Sequence, residues 1–356
     1  MKKLYLIEIL RFIASISVII YHYEIFFFRF NNLNSLKISD ENIEYLPFGT
    51  ILDFVYKHGD YGVHLFWTIS GFVISYIYLD KIKKYNWKIF FVNRFSRLYP
   101  LHFATLITIV IIQLINSNFS IRLNFFDYND FYHFFLNFFF ISAWGLEQKV
   151  SFNTPIWSVS LEIIAYILFF ILASKFKNPN LIKLFSFYFL LMLASKIGFM
   201  KDDLHNDLVS CLRLFITGVI IYKLFTLNKK YFFLLISILI LIFAFINNFK
   251  IFIFCPGLLM LILSIENFFP LKNKIMQTVC SVIGNLTYSS YLIHFPISLI
   301  FISYFRNETK IFSSEYFFVI YIILIIIISF ISYNFVEKKT KKYLRSKLLK
   351  SPNRHY

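Results

Sequence analysis

Charge is scarce in this chain, and acidic charge is scarcest. Only 15% of its residues are Asp, Glu, Lys or Arg, and Asp and Glu together number 19 of 356. A soluble globular chain carries roughly 25% charged residues. The deficit does not come from a single anchor, because apolar runs recur from residue 4 to residue 336. A soluble core cannot hide that much continuous apolar sequence, whereas a bilayer accepts it directly. Cysteine is equally sparse. Cys211, Cys255 and Cys280 lie in or beside apolar segments without CxxC spacing, which speaks against a disulfide framework and against a zinc site or any other metal. No small-residue cleavage site follows the first apolar run, which is too long for a signal-peptide core and contains Arg11. It reads as a membrane span. The longest stretches outside the apolar runs, about 29–60 and 117–156, are too short for a separate catalytic module.

What remains is an all-α integral membrane protein, 58% hydrophobic with a mean hydropathy of +0.67. Ten transmembrane helices are expected at about 6–28, 61–80, 99–116, 157–175, 181–198, 208–226, 231–247, 250–265, 282–304 and 316–336. Asn247, Asn248 and Phe249 alone separate the seventh and eighth, which implies a tight hairpin. The run from Phe131 to Trp144 is shorter and carries His133 and Asn137, as an interfacial or re-entrant segment does. Residues 1–337 then form one transmembrane domain, and 338–356 form a basic tail expected to lie on anionic lipid headgroups.

A net charge of +17 invites a nucleic-acid reading, but its distribution follows membrane topology instead. With the N-terminus inside, 24 of the 36 Lys and Arg fall on the inner side and 10 in the outer loops, and Arg11 and Arg213 lie within spans. Of the 19 acidic residues, 13 fall in the outer loops. Both termini are therefore expected in the cytoplasm, with the bilayer and no nucleic acid as partner.

Ionisable groups inside spans cost a few kcal/mol each on insertion scales, and so mark candidate functional sites. In the first span Glu8, Arg11, Ser15 and His22 share one helical face. Arg11 and His22 are about 16 Å apart along the axis, with Arg11 near the inner end. Glu8 and Arg11 can neutralise each other while His22 bonds a neighbouring helix. Alternatively, a buried neutral imidazole serves as general base above an anion-binding arginine. In GVHLFWTISGFVIS, Ser70 and Gly71 permit close helix approach or a backbone break. In the loop NRFSRLYP, Arg94 and Arg97 are one helical turn apart, a pairing that suits phosphate as well as an ordinary cytoplasmic loop, and Pro100 suits the start of the next helix. The fourth span opens TPIWSVSLE, with Trp157 at an interface and Ser158 and Glu162 on one face. In the ninth, Thr287, Tyr291 and His294 form a polar stripe before Pro296. Arg213 and Glu337 are isolated charges for which ion pairing within the bundle can account.

In this order these residues resemble acyltransferase family 3, the bacterial membrane O-acyltransferases, among them O-acetyltransferases, that decorate surface polysaccharides. The matching pieces are Arg11 and His22 with ten residues between, FWTISGF (66–72), RFSRLYP (94–100), WSVSLE (157–162), RLFITG (213–218), SSYLIH (289–294) and NFVEK (334–338). The family often has Pro where this chain has Lys339, and the fused extracytoplasmic hydrolase-like domain of some members is not expected here. The resemblance implies that acyl-CoA, acetyl-CoA by family frequency, enters from the cytoplasm of a bacterial inner-membrane protein. It implies His22 as catalytic residue, Arg11 as a donor-binding group, and Arg94 and Arg97 on the donor side, with the pantetheine arm running up one helix-lined tunnel from Arg11 towards His22. Glu162 then orients His22 or binds the acceptor, and Ser70 and Gly71 contact the thioester. The expected acceptor is a sugar hydroxyl of a lipid-linked or surface glycan such as O-antigen lipopolysaccharide or capsule. Two rival readings are export of an acylated molecule, which intramembrane charges also fit, and acylation of a small acceptor such as a macrolide or amino sugar.

Overall fold

The computed structural model describes residues 3–28, 45–118, 127–147, 149–176, 179–196, 203–305 and 308–349. The end of the expected fifth span (197–198) and of the basic tail (350–356) lie outside the described residues. Among the described residues the chain is helical, with no strand. In order the helices are α1 (Tyr5–Tyr21), α2 (Ile25–Phe28), α3 (Gly49–His58), α4 (Tyr61–Tyr78), α5 (Trp87–Asn118), α6 (Phe131–Phe138) and α7 (Ile156–Phe176). There follow α8 (Leu181–Lys196), α9 (Asp203–Thr226), α10 (Lys230–Ile246), α11 (Ile251–Phe268), α12 (Lys274–Tyr304), α13 (Glu315–Ser332) and α14 (Lys338–Leu348). Eight helical segments are long and apolar enough to cross a membrane, and the shorter apolar helices Leu181–Ala194 and Lys230–Ile246 bring the correspondence with the ten expected spans to one for one.

Three boundaries differ from expectation, for one reason: hydropathy registers where hydrocarbon is crossed, not where a helix begins. α5 starts at Trp87, so Arg94 and Arg97 are helical rather than in a loop, and Pro100 lies inside the helix rather than at its start. Its missing N–H is tolerated because packed neighbours hold the strand of helix around it. α12 likewise starts early, at Lys274, with Asn273 capping the amides of Ile275 and Met276. α1 stops short, at Tyr21, and His22 opens a 3₁₀ turn that ends at Glu24.

In α12, 83% of the apolar window is buried, a larger share than in the other seven long segments, so it stands at the centre of the bundle. α1 runs parallel to it. Glu8 fills the space left by Gly284, the Ser15 and Ser290 hydroxyls are 2.8 Å apart, and His22 meets His294. α4 runs back along α1, with Gly62 against the backbone of Ala14. It crosses α9 at Gly71 and Gly218, where a Cβ on either would run into the Phe215 or Thr68 carbonyl. In lipid, where apolar burial gives helices no reason to associate, such close backbone contact supplies the packing. The hairpin between α10 and α11 is as tight as expected, with Asn248 and Phe249 both at positive φ.

The segment 131–144 folds as the eight-residue α6 followed by turns, which suits a re-entrant or interfacial element. Asp130 caps it by accepting from the His133 amide, and the Asn137 side chain donates to Ser151 at 2.8 Å. At the opposite end of the bundle a π-turn, Tyr333–Glu337, joins α13 to α14, which packs on α5.

Candidate active site

Helices α1, α4, α5, α7 and α12 surround a cavity of about 100 Å³, room for several waters. Its mouth is basic. Arg11 from α1 and Arg94 and Arg97 from α5 line it. Arg11 donates to Glu8 Oε2 at 3.1 Å, so the neutralising pair expected from their spacing is present. Arg94 is sandwiched by aromatic faces, its guanidinium carbon 5.5 Å from the Tyr78 ring centre and 5.7 Å from that of Tyr166. Such contacts hold a cation without neutralising it.

Glu162 stands on the next level. Its Oε1 accepts hydrogen bonds from the hydroxyls of Ser70 and Tyr166, which are themselves 3.1 Å apart. Glu162 also lies within electrostatic reach of Arg11. Its bonds are to Ser70 and Tyr166, in a cavity that His22 does not line, so it does not bond the imidazole it was expected to orient. Ser70 lines the cavity. Gly71 does not; it faces away, against Phe215, and its role is to let α4 and α9 touch without a backbone break.

Deeper still, the Ser158 and Tyr291 hydroxyls are 2.7 Å apart and share the Pro155 carbonyl, and Trp67 Nε1 donates to the Ser158 carbonyl at 3.2 Å. Trp157 packs edge-on against Trp67. Thr287, from the same stripe as Tyr291, presents a buried Oγ1 without a hydrogen-bond partner among the described residues. It lies one turn nearer the arginines than Tyr291, beside Ser15, where an unsatisfied hydroxyl can bond a ligand atom.

His22 does not line this cavity, contrary to the expectation of one tunnel from Arg11 to His22. The space closes at Phe66 and Tyr291, whose rings meet edge to face with centres 5.7 Å apart. His294 follows one turn on, its ring centre 6.1 Å from that of Tyr291. Its Nε2 is 3.0 Å from Nδ1 of His22, and the two imidazoles are nearly parallel, 8° apart. His294 is fully buried, while His22 keeps partial exposure. The two histidines, read from sequence on separate stripes, are thus one hydrogen-bonded pair. One must donate to the other; His294 Nδ1 is buried, so His22 Nε2 is the nitrogen of the pair left to act outward.

The two isolated charges have different surroundings. Arg213 lies outside the cavity, its guanidinium 3.8 Å from the Phe252 ring centre, and donates to the Tyr188 hydroxyl at 3.1 Å. Glu337 is buried and accepts from Ser289, so the final turn is tied to the SSYLIH stretch of α12. Sequence reasoning missed Tyr166 and Tyr288. Tyr166 had a signal, since it follows Glu162 by one turn. Tyr288, which donates to the Leu98 carbonyl at 2.7 Å and braces α12 against α5, had none.

A bundle of apolar helices around a cavity lined by arginines and by buried polar side chains defines a multi-pass membrane protein with an internal polar site. A family model for the acyltransferase domain, that of acyltransferase family 3, matches residues 4–334, and the chain belongs to this family of membrane acyltransferases. No curated protein and no solved structure matches it significantly.

Proposed function

We propose that this acyltransferase moves an acyl group, acetyl in the first instance, from acyl-CoA to a sugar hydroxyl of a lipid-linked or surface polysaccharide such as O-antigen or capsule. The arginine-lined end is the cytoplasmic end in this reading, as the distribution of Lys and Arg suggests, and the membrane is a bacterial inner membrane. The observation that carries it is the axial order of the groups: arginines, the buried Thr287 hydroxyl, Tyr291, then the histidine pair. A pantetheine arm is slim enough for the slot. The acceptor approaches from the opposite end, where His22 keeps exposure.

In the transfer, His22 takes the proton of the acceptor hydroxyl as its oxygen attacks the thioester carbonyl. The C–S bond breaks, and the CoA thiolate leaves with the proton returned by the imidazolium. Rotation of Phe66 and Tyr291 must first join the slot to His22. Glu162 lines the slot with its carboxylate held by Ser70 and Tyr166, and Ser70 lies beside the acyl chain.

The test is transfer itself. Purified protein incubated with labelled acetyl-CoA and membrane glycolipid should place label on sugar and release free CoA, and His22→Ala should abolish both at normal membrane abundance. Label crossing vesicles without CoA release would instead favour export, and retained activity in the variant would remove His22 from the chemistry.

A further inference from the structure

A second cavity, of about 410 Å³, opens beside the mouth of the first and shares Arg11 and Arg97 with it. Its remaining cations come from α14, and they are spaced for it. Lys338, Lys341, Lys342 and Arg345 follow one another at i, i+3, i+4 and i+7, a single helical face, and all four line the cavity. The basic tail, expected to lie on lipid headgroups, thus turns this face towards the bundle. The π-turn at Tyr333–Glu337 and the anchoring of Glu337 to Ser289 set the angle at which α14 comes back onto α5.

Six cationic side chains meet two carboxylates in this vestibule. Both carboxylates are already engaged, Glu8 with Arg11, and Glu337 with Ser289 and within electrostatic reach of Arg97 and Lys341. Half-buried Lys341 has Arg94, Arg97 and Arg345 all within electrostatic reach. Like charges gathered in a concave, partly desolvated place raise the free energy of the empty protein and are relieved by a polyanion.

We propose that α14 is the phosphate-binding wall of a nucleotide vestibule, which takes the 3′-phosphorylated adenosine diphosphate head of the acyl-CoA donor while the pantetheine arm passes between Arg11 and Arg97 into the slot. This rests on the donor reading above for the identity of the nucleotide. The charge match is close: the head carries three phosphates, and the vestibule carries a cationic excess of four. The phosphate of an anionic lipid headgroup offers the same chemistry, so the experiment must separate the two.

Full-length protein is reconstituted into phosphatidylcholine nanodiscs, with and without phosphatidylglycerol, and titrated with adenosine 3′,5′-bisphosphate. The double variant Lys341→Gln with Arg345→Gln is compared with Lys339→Gln with Lys347→Gln, which alters the other side of the same helix at equal charge. The first should weaken bisphosphate binding by about tenfold and reduce its salt dependence, with or without anionic lipid, while the second leaves both unchanged. In transfer assays the first should raise KM for acetyl-CoA and leave that for S-acetylpantetheine unaltered. Equal effects of the two double variants, or loss of phosphatidylglycerol retention with nucleotide binding intact, would overturn the proposal. Bisphosphate binding by a protein that transfers nothing from acyl-CoA would sink the donor reading and leave the vestibule standing.

Discussion

The histidine pair allows a quantitative separation of roles. If His22 is the base and His294 only orients it, the two residues must differ sharply in what their removal costs. Loss of a positioned general base lowers the rate by about 10²- to 10⁴-fold. The contact from His294 is one neutral hydrogen bond of 3.0 Å, worth about 0.5–1.5 kcal/mol, and at about 1.36 kcal/mol per factor of ten this is a two- to twelvefold effect. His22→Ala should therefore fall by at least two decades, His294→Leu by about one, and His294→Gln, whose amide reaches the position of the imidazole Nε2, by less. Since His294 is fully buried, melting temperatures must accompany the rates, so that loss of fold is not counted as loss of chemistry. The assay is release of free CoA from labelled acetyl-CoA in a single turnover with protein in nanodiscs. A His294→Leu defect as deep as that of His22→Ala would refute the division and make His294 a participant in proton transfer. A His22→Ala enzyme with most of its activity would refute the base itself.

Arg11→Ala should raise KM for acyl-CoA by about tenfold and that for the acceptor far less, because Arg11 stands at the donor mouth beside Glu8; equal effects on both substrates would contradict this. Gly71→Val should cost about 3 kcal/mol, since its side chain would run into the Phe215 carbonyl at the crossing of α4 and α9, and the readout is the yield and melting temperature of monodisperse protein. Burial holds the Glu147 carboxyl above the usual carboxylate range, outside the spans, so the folded protein keeps its proton more tightly than the unfolded chain does. That contribution to stability is complete below the unfolded pKa of about 4.3 and is lost as pH rises through the folded value. Glu147→Gln, which can still bond Asn137 and Ser151, should melt above the wild type at about pH 8 and not at about pH 4.

Span number and most polar levels were legible from the chain because both are local properties. Hydropathy needs only neighbours in sequence, and helical spacing was enough to put Arg11 below His22, Ser158 beside Glu162, and Thr287, Tyr291 and His294 on one stripe. Charge distribution along the loops suggested an orientation without any contact being known. What these signals do not carry is which stripe faces which. His22 and His294 are 272 residues apart, and no periodicity within either helix says that their rings stack. Only packing decided that Glu162 would meet Ser70 and Tyr166, that Phe66 and Tyr291 would stand between the slot and His22, and that the cations of α14 would face a cavity. The reason is physical: a bilayer rewards every apolar residue alike, so the helices are selected by hydropathy, but their mutual rotation is set by glycine contacts and buried hydrogen bonds that exist only once the helices are together.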